Sequence, residues 1–145
     1  KDGYVYGFDI QKIAISNTKK LLDDNNVTNY TLINKSHEFI FQELSNLKGK
    51  VTAVVYNLGY LPKGDKSIVT KEKTTIKSIK EAFKLLNNKG FILVVAYPHL
   101  EGKKEAQAIK KLKFKDMEIN EYHNDDNVEA PYLIEIKKNS KQKDA

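Results

Sequence analysis

Two short segments of the sequence carry residue types that could do chemistry. The first is Gly7-Phe8-Asp9-Ile10, where a carboxylate closes an apolar run. At the carboxyl end of a parallel strand such an acid can hold ribose hydroxyls. It can equally favour the N-terminus of the helix that follows. The second segment is Asn57-Leu58-Gly59-Tyr60-Leu61-Pro62. Ligands of open α/β sheets gather at the carboxyl ends of the strands. An amide and its neighbouring carbonyls at that edge could orient a substrate nitrogen, with the Tyr60 ring stacked on the reacting group. A tight turn with a core tyrosine accounts for the same residues. His37 and His99 fall at predicted strand ends, where an imidazole could take a proton. His123 reads as a surface or edge-strand residue, and Asp125 and Asp126 as hairpin-turn acids rather than metal ligands. Asp65 and Lys66 read as shaping a turn.

The elements that must position these groups follow from pattern. Tyr4–Ile10 reads as a strand and Gln11–Asp24 as a helix with Ala14, Thr18 and Leu21 on one face. Thr28–Asn34 is a second strand, and Ser36 can cap a helix carrying Phe39, Ile40, Leu44 and Leu47 inward. Val51–Leu58 is a continuous apolar run, as in a strand buried on both faces. A loop over Gly59–Val69 precedes a helix from Thr70 to Asn88, with Ile76, Ile79, Phe83 and Leu86 at helical spacing. Gly90 stands where a left-handed helix C-terminus is wanted. Phe91–Tyr97 is a buried strand, and Gly102–Leu112 a helix with Ala106, Ile109 and Leu112 inward. Phe114–Tyr122 and Pro131–Lys137 follow without a helix between them, which predicts an antiparallel hairpin at the sheet's edge. The alternation is that of a single α/β domain over 1–137, with a polar, frayed tail over 138–145.

Composition narrows the function classes. The chain has 145 residues, 40% of them hydrophobic and 30% charged, which is globular rather than disordered. No run reaches the roughly 18 apolar residues of a membrane helix, and the start lacks a signal-peptide pattern. Cysteine is absent, so disulfides, thiolate metal sites and cysteine nucleophiles are excluded, and a reducing cytoplasm fits. The net charge is +6, and all 25 basic residues are lysine. Lysine draws nucleic acid backbones by counterion release but lacks the planar fork for guanine readout. An AT-rich genome would give the same bias. The lysine pairs at 103–104 and 110–111 read first as a solvated helix face and second as a tRNA phosphate contact. The strand tyrosines read as packing rather than base-stacking platforms.

The stretch Asn57–Ser67, followed by Thr70 and Thr74-Thr75-Ile76, resembles the hallmark of the rRNA methylase family. These are small bacterial S-adenosylmethionine-dependent methyltransferases, now associated with methylating the aminomethyl group of 5-aminomethyl-2-thiouridine at the tRNA wobble position. Val5–Gln11, Ser36-His37-Glu38, Tyr97 with Gly102 and Glu105, and Ala130-Pro131-Tyr132-Leu133 with Ile136 and Lys137 are similar to further family segments. The likeness runs from about Val5 to Lys137. Two departures stand out. The family's opening strand and glycine-rich turn have no counterpart in the sequence, so a fragment is expected, lacking the strand between those ending at Asp9 and near Asn57. The family's Gly-His pair reads Pro98-His99-Leu100, which displaces His99 by one position.

The resemblance implies a class I methyltransferase fold, a mostly parallel Rossmann-like sheet with an antiparallel edge strand. It implies S-adenosylmethionine held by Asp9, Ile10, Gln11, Ser36, His37, Glu38, Asn57 and Leu58. Asn57, Tyr60 and His99 would be catalytic, and Tyr60, Asp65, Lys66 and Tyr97 would meet the RNA. It implies cytoplasmic tRNA as partner, no metal and no membrane, with a homodimer compatible. Two rivals stand beside it. A nicotinamide-dependent Rossmann oxidoreductase would use Asp9 for ribose but leaves Asn57–Pro62 without a purpose. A non-catalytic RNA-binding module descended from a methyltransferase would account for the absent glycine-rich turn.

Overall fold

The computed structural model describes residues 3–57, 72–97, 100–113, 116–124 and 130–138. The described elements fall into two compact units, 1–39 and 40–145. The first unit opens with β1 (Val5–Phe8), continues through α1 (Lys12–Asp24) and closes with β2 (Tyr30–Ile33) and a 3-10 turn at His37–Phe39. β1 and β2 pair in parallel, Val5 opposite Tyr30 and Phe8 opposite Ile33. The main chain extends this ladder by one bond, from Asp9 N–H to the Ile33 carbonyl at 3.2 Å.

The expected inward face of α1 is rotated. Leu21 is 63% exposed, Thr18 is exposed, and the half-buried stripe is Ala14, Ile15 and Leu22. The difference is one position around the helix, which a run of mixed polar and apolar residues does not resolve.

The second unit holds α2 (Ile40–Leu44), a 3-10 turn at Ser45–Leu47, β3 (Val51–Asn57), α3 (Glu72–Leu85), β4 (Leu86–Ala96), α4 (Leu100–Lys110), β5 (Met117–Tyr122) and β6 (Tyr132–Lys138). Its sheet has the order β3-β4-β6-β5. β3 and β4 are parallel, and β6 runs antiparallel to both β4 and β5. The hairpin expected at the sheet's edge is β5–β6, with β5 outermost. β4, β6 and the inner faces of α3 and α4 supply the core. Ile79, Leu85, Leu86, Ile92, Ile109, Ile134 and Ile136 are completely buried. The inward residues expected of the last helix, Ala106, Ile109 and Leu112, are all buried.

β3 is not covered on both faces. Thr52, Ala53 and Val55 are exposed, Val55 at 66%, and among the described residues β3 bonds only β4. A continuous apolar run therefore marks a strand made for cover on both sides without showing what supplies it.

Gly90 does a different job from the one expected. It lies inside β4 and does not take a positive φ; among the described glycines only Gly49 does. A Cβ at Gly90 would come within 2.8 Å of Leu86 Cβ and 3.0 Å of the Val51 carbonyl oxygen. The register of β3 on β4 shifts between Val51 and Ala53. The close approach at this irregularity is what requires glycine. Gly90→Ala is expected to destabilise the fold by about 1–3 kcal/mol through overpacking, read as a lower midpoint in urea with an unchanged slope.

Candidate functional site

The carboxyl end of β1 is built by three local devices. Asp9 Oδ1 accepts the Gln11 backbone N–H at 2.8 Å, an Asx-type turn that folds the chain into α1. The Gln11 carbonyl then accepts from Ala14 and Ile15 to start the helix. Asn34 Nδ2 donates to the carbonyls of Asp9 and Ile10 at 3.0 and 3.1 Å, tying the end of β1 to the end of β2. Asp9 thus serves the helix start through one oxygen, as one of its two readings holds. Among the described residues no hydrogen bond engages its Oδ2, which is left for an outside donor.

Ser36, His37 and Glu38 come to the same unit through the 3-10 turn after β2. Ser36 Oγ accepts the Glu38 N–H at 3.2 Å, so Ser36 does cap this turn. His37 is half-buried, and burial pushes its imidazole below the ordinary value, against the raising pull of Glu38 and Asp9. A ring kept neutral can both donate and accept. The Asp9 carboxylate and the His37 imidazole thus both come from the carboxyl ends of the paired strands β1 and β2 and the segments that follow them.

The carboxyl edge of the second unit's sheet carries Asn57 and Tyr97. Asn57 lies opposite Val95 in the β3–β4 ladder, and Tyr97 follows β4 directly. The Tyr97 hydroxyl donates to Asn57 Oδ1 at 2.6 Å. Asn57 Oδ1 has two lone pairs, so it can accept a second donor while Tyr97 holds the amide. Sequence reasoning gave the two residues separate roles. Their pairing across neighbouring strands is legible only with the register in hand.

Below this edge two buried polar pairs brace the sheet to α3. Tyr56 and Ser78 share a hydrogen bond of 2.7 Å, and burial pushes the Tyr56 hydroxyl above the usual phenol range. Thr75, completely buried, donates to Glu105 Oε2 at 2.7 Å, with Glu105 only 4% exposed. A buried carboxylate is tolerated only when held by donors. This pair locks the first turn of α3 to the second turn of α4. Asn34, Thr75 and Ser78 carried no assigned role in the sequence. Leu58, Tyr60, Asp65, Lys66 and His99 lie outside the described residues.

The α/β fold is the Rossmann-like one of class I methyltransferases. The family model described as "Putative rRNA methylase" matches residues 5–136, and the chain belongs to that family. A tRNA (mnm5s2U34)-methyltransferase of Arabidopsis thaliana, chloroplastic, is 38% identical over 113 residues, covering 74% of this chain and 41% of the plant protein. The chain therefore spans less than half the length of that relative. The crystal structure of a putative rRNA methylase from Clostridium thermocellum superposes with a TM-score of 0.81 at 37% identity, covering 95% of this chain and 76% of the other. A putative methyltransferase from Streptococcus mutans in complex with SAH gives 0.79 at 30% identity, covering 93% and 76%. No helix among the described residues is long and apolar enough to cross a membrane.

Proposed function

We propose that this chain is the catalytic part of an S-adenosylmethionine-dependent RNA methyltransferase whose substrate is the aminomethyl nitrogen of a wobble 5-aminomethyl-2-thiouridine in cytoplasmic tRNA. The observation that carries this reading is the Asn57–Tyr97 pair at the carboxyl edge of adjacent parallel strands. It is an acceptor with its plane fixed, the feature needed to aim an amine. The likeness to the Arabidopsis tRNA methyltransferase supports the substrate, and the SAH complex of the Streptococcus relative supports the cofactor.

Asp9 is assigned to the ribose hydroxyls and the Ser36–Glu38 turn to the base. S-adenosylmethionine, when bound, supplies a methyl group already activated by its sulfonium. The protein's task is then to position the nitrogen rather than to form a covalent intermediate. Asn57 Oδ1 accepts an N–H of the neutral amine and directs its lone pair. The amine must shed its proton first, and His99 or bulk water takes it. Tyr60, Asp65 and Lys66 are assigned to the RNA side of the reaction.

The test is transfer of a labelled methyl from S-adenosylmethionine to tRNA carrying 5-aminomethyl-2-thiouridine, with unmodified tRNA and rRNA as controls. Label in the wobble nucleoside alone is expected. Tight binding of NADH in place of S-adenosylmethionine, or tRNA binding with no cofactor binding, would overturn the reading.

A further inference from the structure

Three parts of the second unit, distant in sequence, converge on one exposed stack. The His123 ring lies on the Tyr132 ring, with centroids 4.3 Å apart and planes inclined by 14°. Lys110 Nζ stands over the same tyrosine, 5.0 Å from its centroid. The Glu121 carboxylate holds both neighbours, His123 Nε2 at 3.1 Å and Lys110 Nζ at 3.5 Å. The side chains of His123 and Lys110 remain 48% and 34% exposed. A flat ring is therefore offered to solvent in a fixed orientation, beside an ammonium.

Its place in the fold matters. Tyr132 lies opposite Ala96 in the β4–β6 ladder, and Asn57 lies opposite Val95 on the other side of β4. Both sit at the carboxyl end of β4. Two strand spacings separate them laterally, about 10 Å. Because Val95 and Ala96 alternate along β4, the side chains of Asn57 and Tyr132 leave opposite faces of the sheet, so a strand reaching both would cross its carboxyl edge. On α4, Lys103, Lys104 and Lys110 are exposed, as is Lys111 just beyond it, giving the approach to this edge a positive field.

We infer that the His123–Tyr132 stack is a platform for an unpaired nucleobase flanking the target nucleotide, with Lys110 beside it for the phosphate. The inference rests on the RNA reading above and extends it to a specific contact. Stacking suits a lysine-only surface. It holds a strand without the guanidinium forks this chain lacks, and it is tolerant of base identity. Register along the strand would be set here, and chemistry at Asn57.

The test is equilibrium binding of a fluorescein-labelled tRNA anticodon stem-loop to the wild-type chain and to His123→Ala, His123→Phe and Lys110→Gln. Melting temperature and S-adenosylmethionine binding are recorded for each. His123→Ala is expected to weaken RNA binding about tenfold, within the range for one base–aromatic stack. His123→Phe should restore it to within about threefold, because the ring rather than the charge carries the contact. Lys110→Gln should reduce the slope of log K against log salt by about one. Equal RNA binding by wild type and His123→Ala would overturn the platform and leave the methyltransferase reading intact. So would failure of the phenylalanine to rescue, or loss of a dimer in His123→Ala with RNA binding unchanged. A wild-type chain that binds S-adenosylmethionine but no RNA would overturn the RNA reading and the platform with it.

Discussion

Asn57→Ala is expected to lower methyl transfer about 10²- to 10³-fold, the scale seen when one positioned polar group is removed from a reacting centre. Melting should hardly change, because the side chain is exposed at the end of β3. Tyr97→Phe is expected to cost about tenfold, since it leaves the acceptor in place but frees its plane. The double variant should be no worse than Asn57→Ala alone. Residues that act as a unit do not add, and Tyr97 has nothing to orient once the amide is gone. Single-turnover rates at saturating cofactor and tRNA read these values directly. Additive losses would mean that Tyr97 meets substrate independently of Asn57.

Asp9→Ala is expected to weaken S-adenosylmethionine binding about 10²- to 10³-fold, the loss of two hydrogen bonds to a charged acceptor. The variant also loses the Gln11 N–H acceptor, so a structural effect must be separated from a ligand effect. Asp9→Asn does this. Its amide oxygen can still accept from Gln11, as Oδ1 does at 2.8 Å, while its second atom becomes a donor and cannot take a hydroxyl proton. Asn is expected to recover the melting temperature but only part of the affinity, remaining about tenfold weaker than wild type in calorimetric titration. Full recovery of affinity by Asn would reduce Asp9 to a turn residue.

The sequence was most informative where burial forces a pattern. The apolar run ending at Tyr97 and the spacing of Ala106, Ile109 and Leu112 correspond to β4 and α4, since a run or stripe of that strength has few other homes. It was least informative where two causes give one residue. Gly90 looked like a helix terminator because it follows a periodic segment. The cause is instead a close approach of Leu86 and the Val51 carbonyl, which depends on a strand register. Leu21 looked inward because α1 carries too few apolar residues to fix its rotation. In the site, Asp9 and Asn57 were legible as polar residues closing apolar runs. Their partners Asn34 and Tyr97 were not paired with them, because each reaches across from a neighbouring strand. The His123–Tyr132 stack was hidden for the same reason. A lone histidine and a strand tyrosine are each ordinary until the hairpin sets them face to face.

No described side chain before Ile40 is fully buried, whereas the completely buried residues all lie beyond it. The β1–α1–β2 unit therefore has little to resist local opening. Its amide hydrogens should exchange with solvent through small fluctuations, while those of β4 and β6 wait for global unfolding. The consequence falls on ligand energetics. Were a nucleoside to be held by Asp9, its binding free energy would add to the stability of this unit. At a hundredfold excess over its dissociation constant the ligand would add about 2.7 kcal/mol to the folded form.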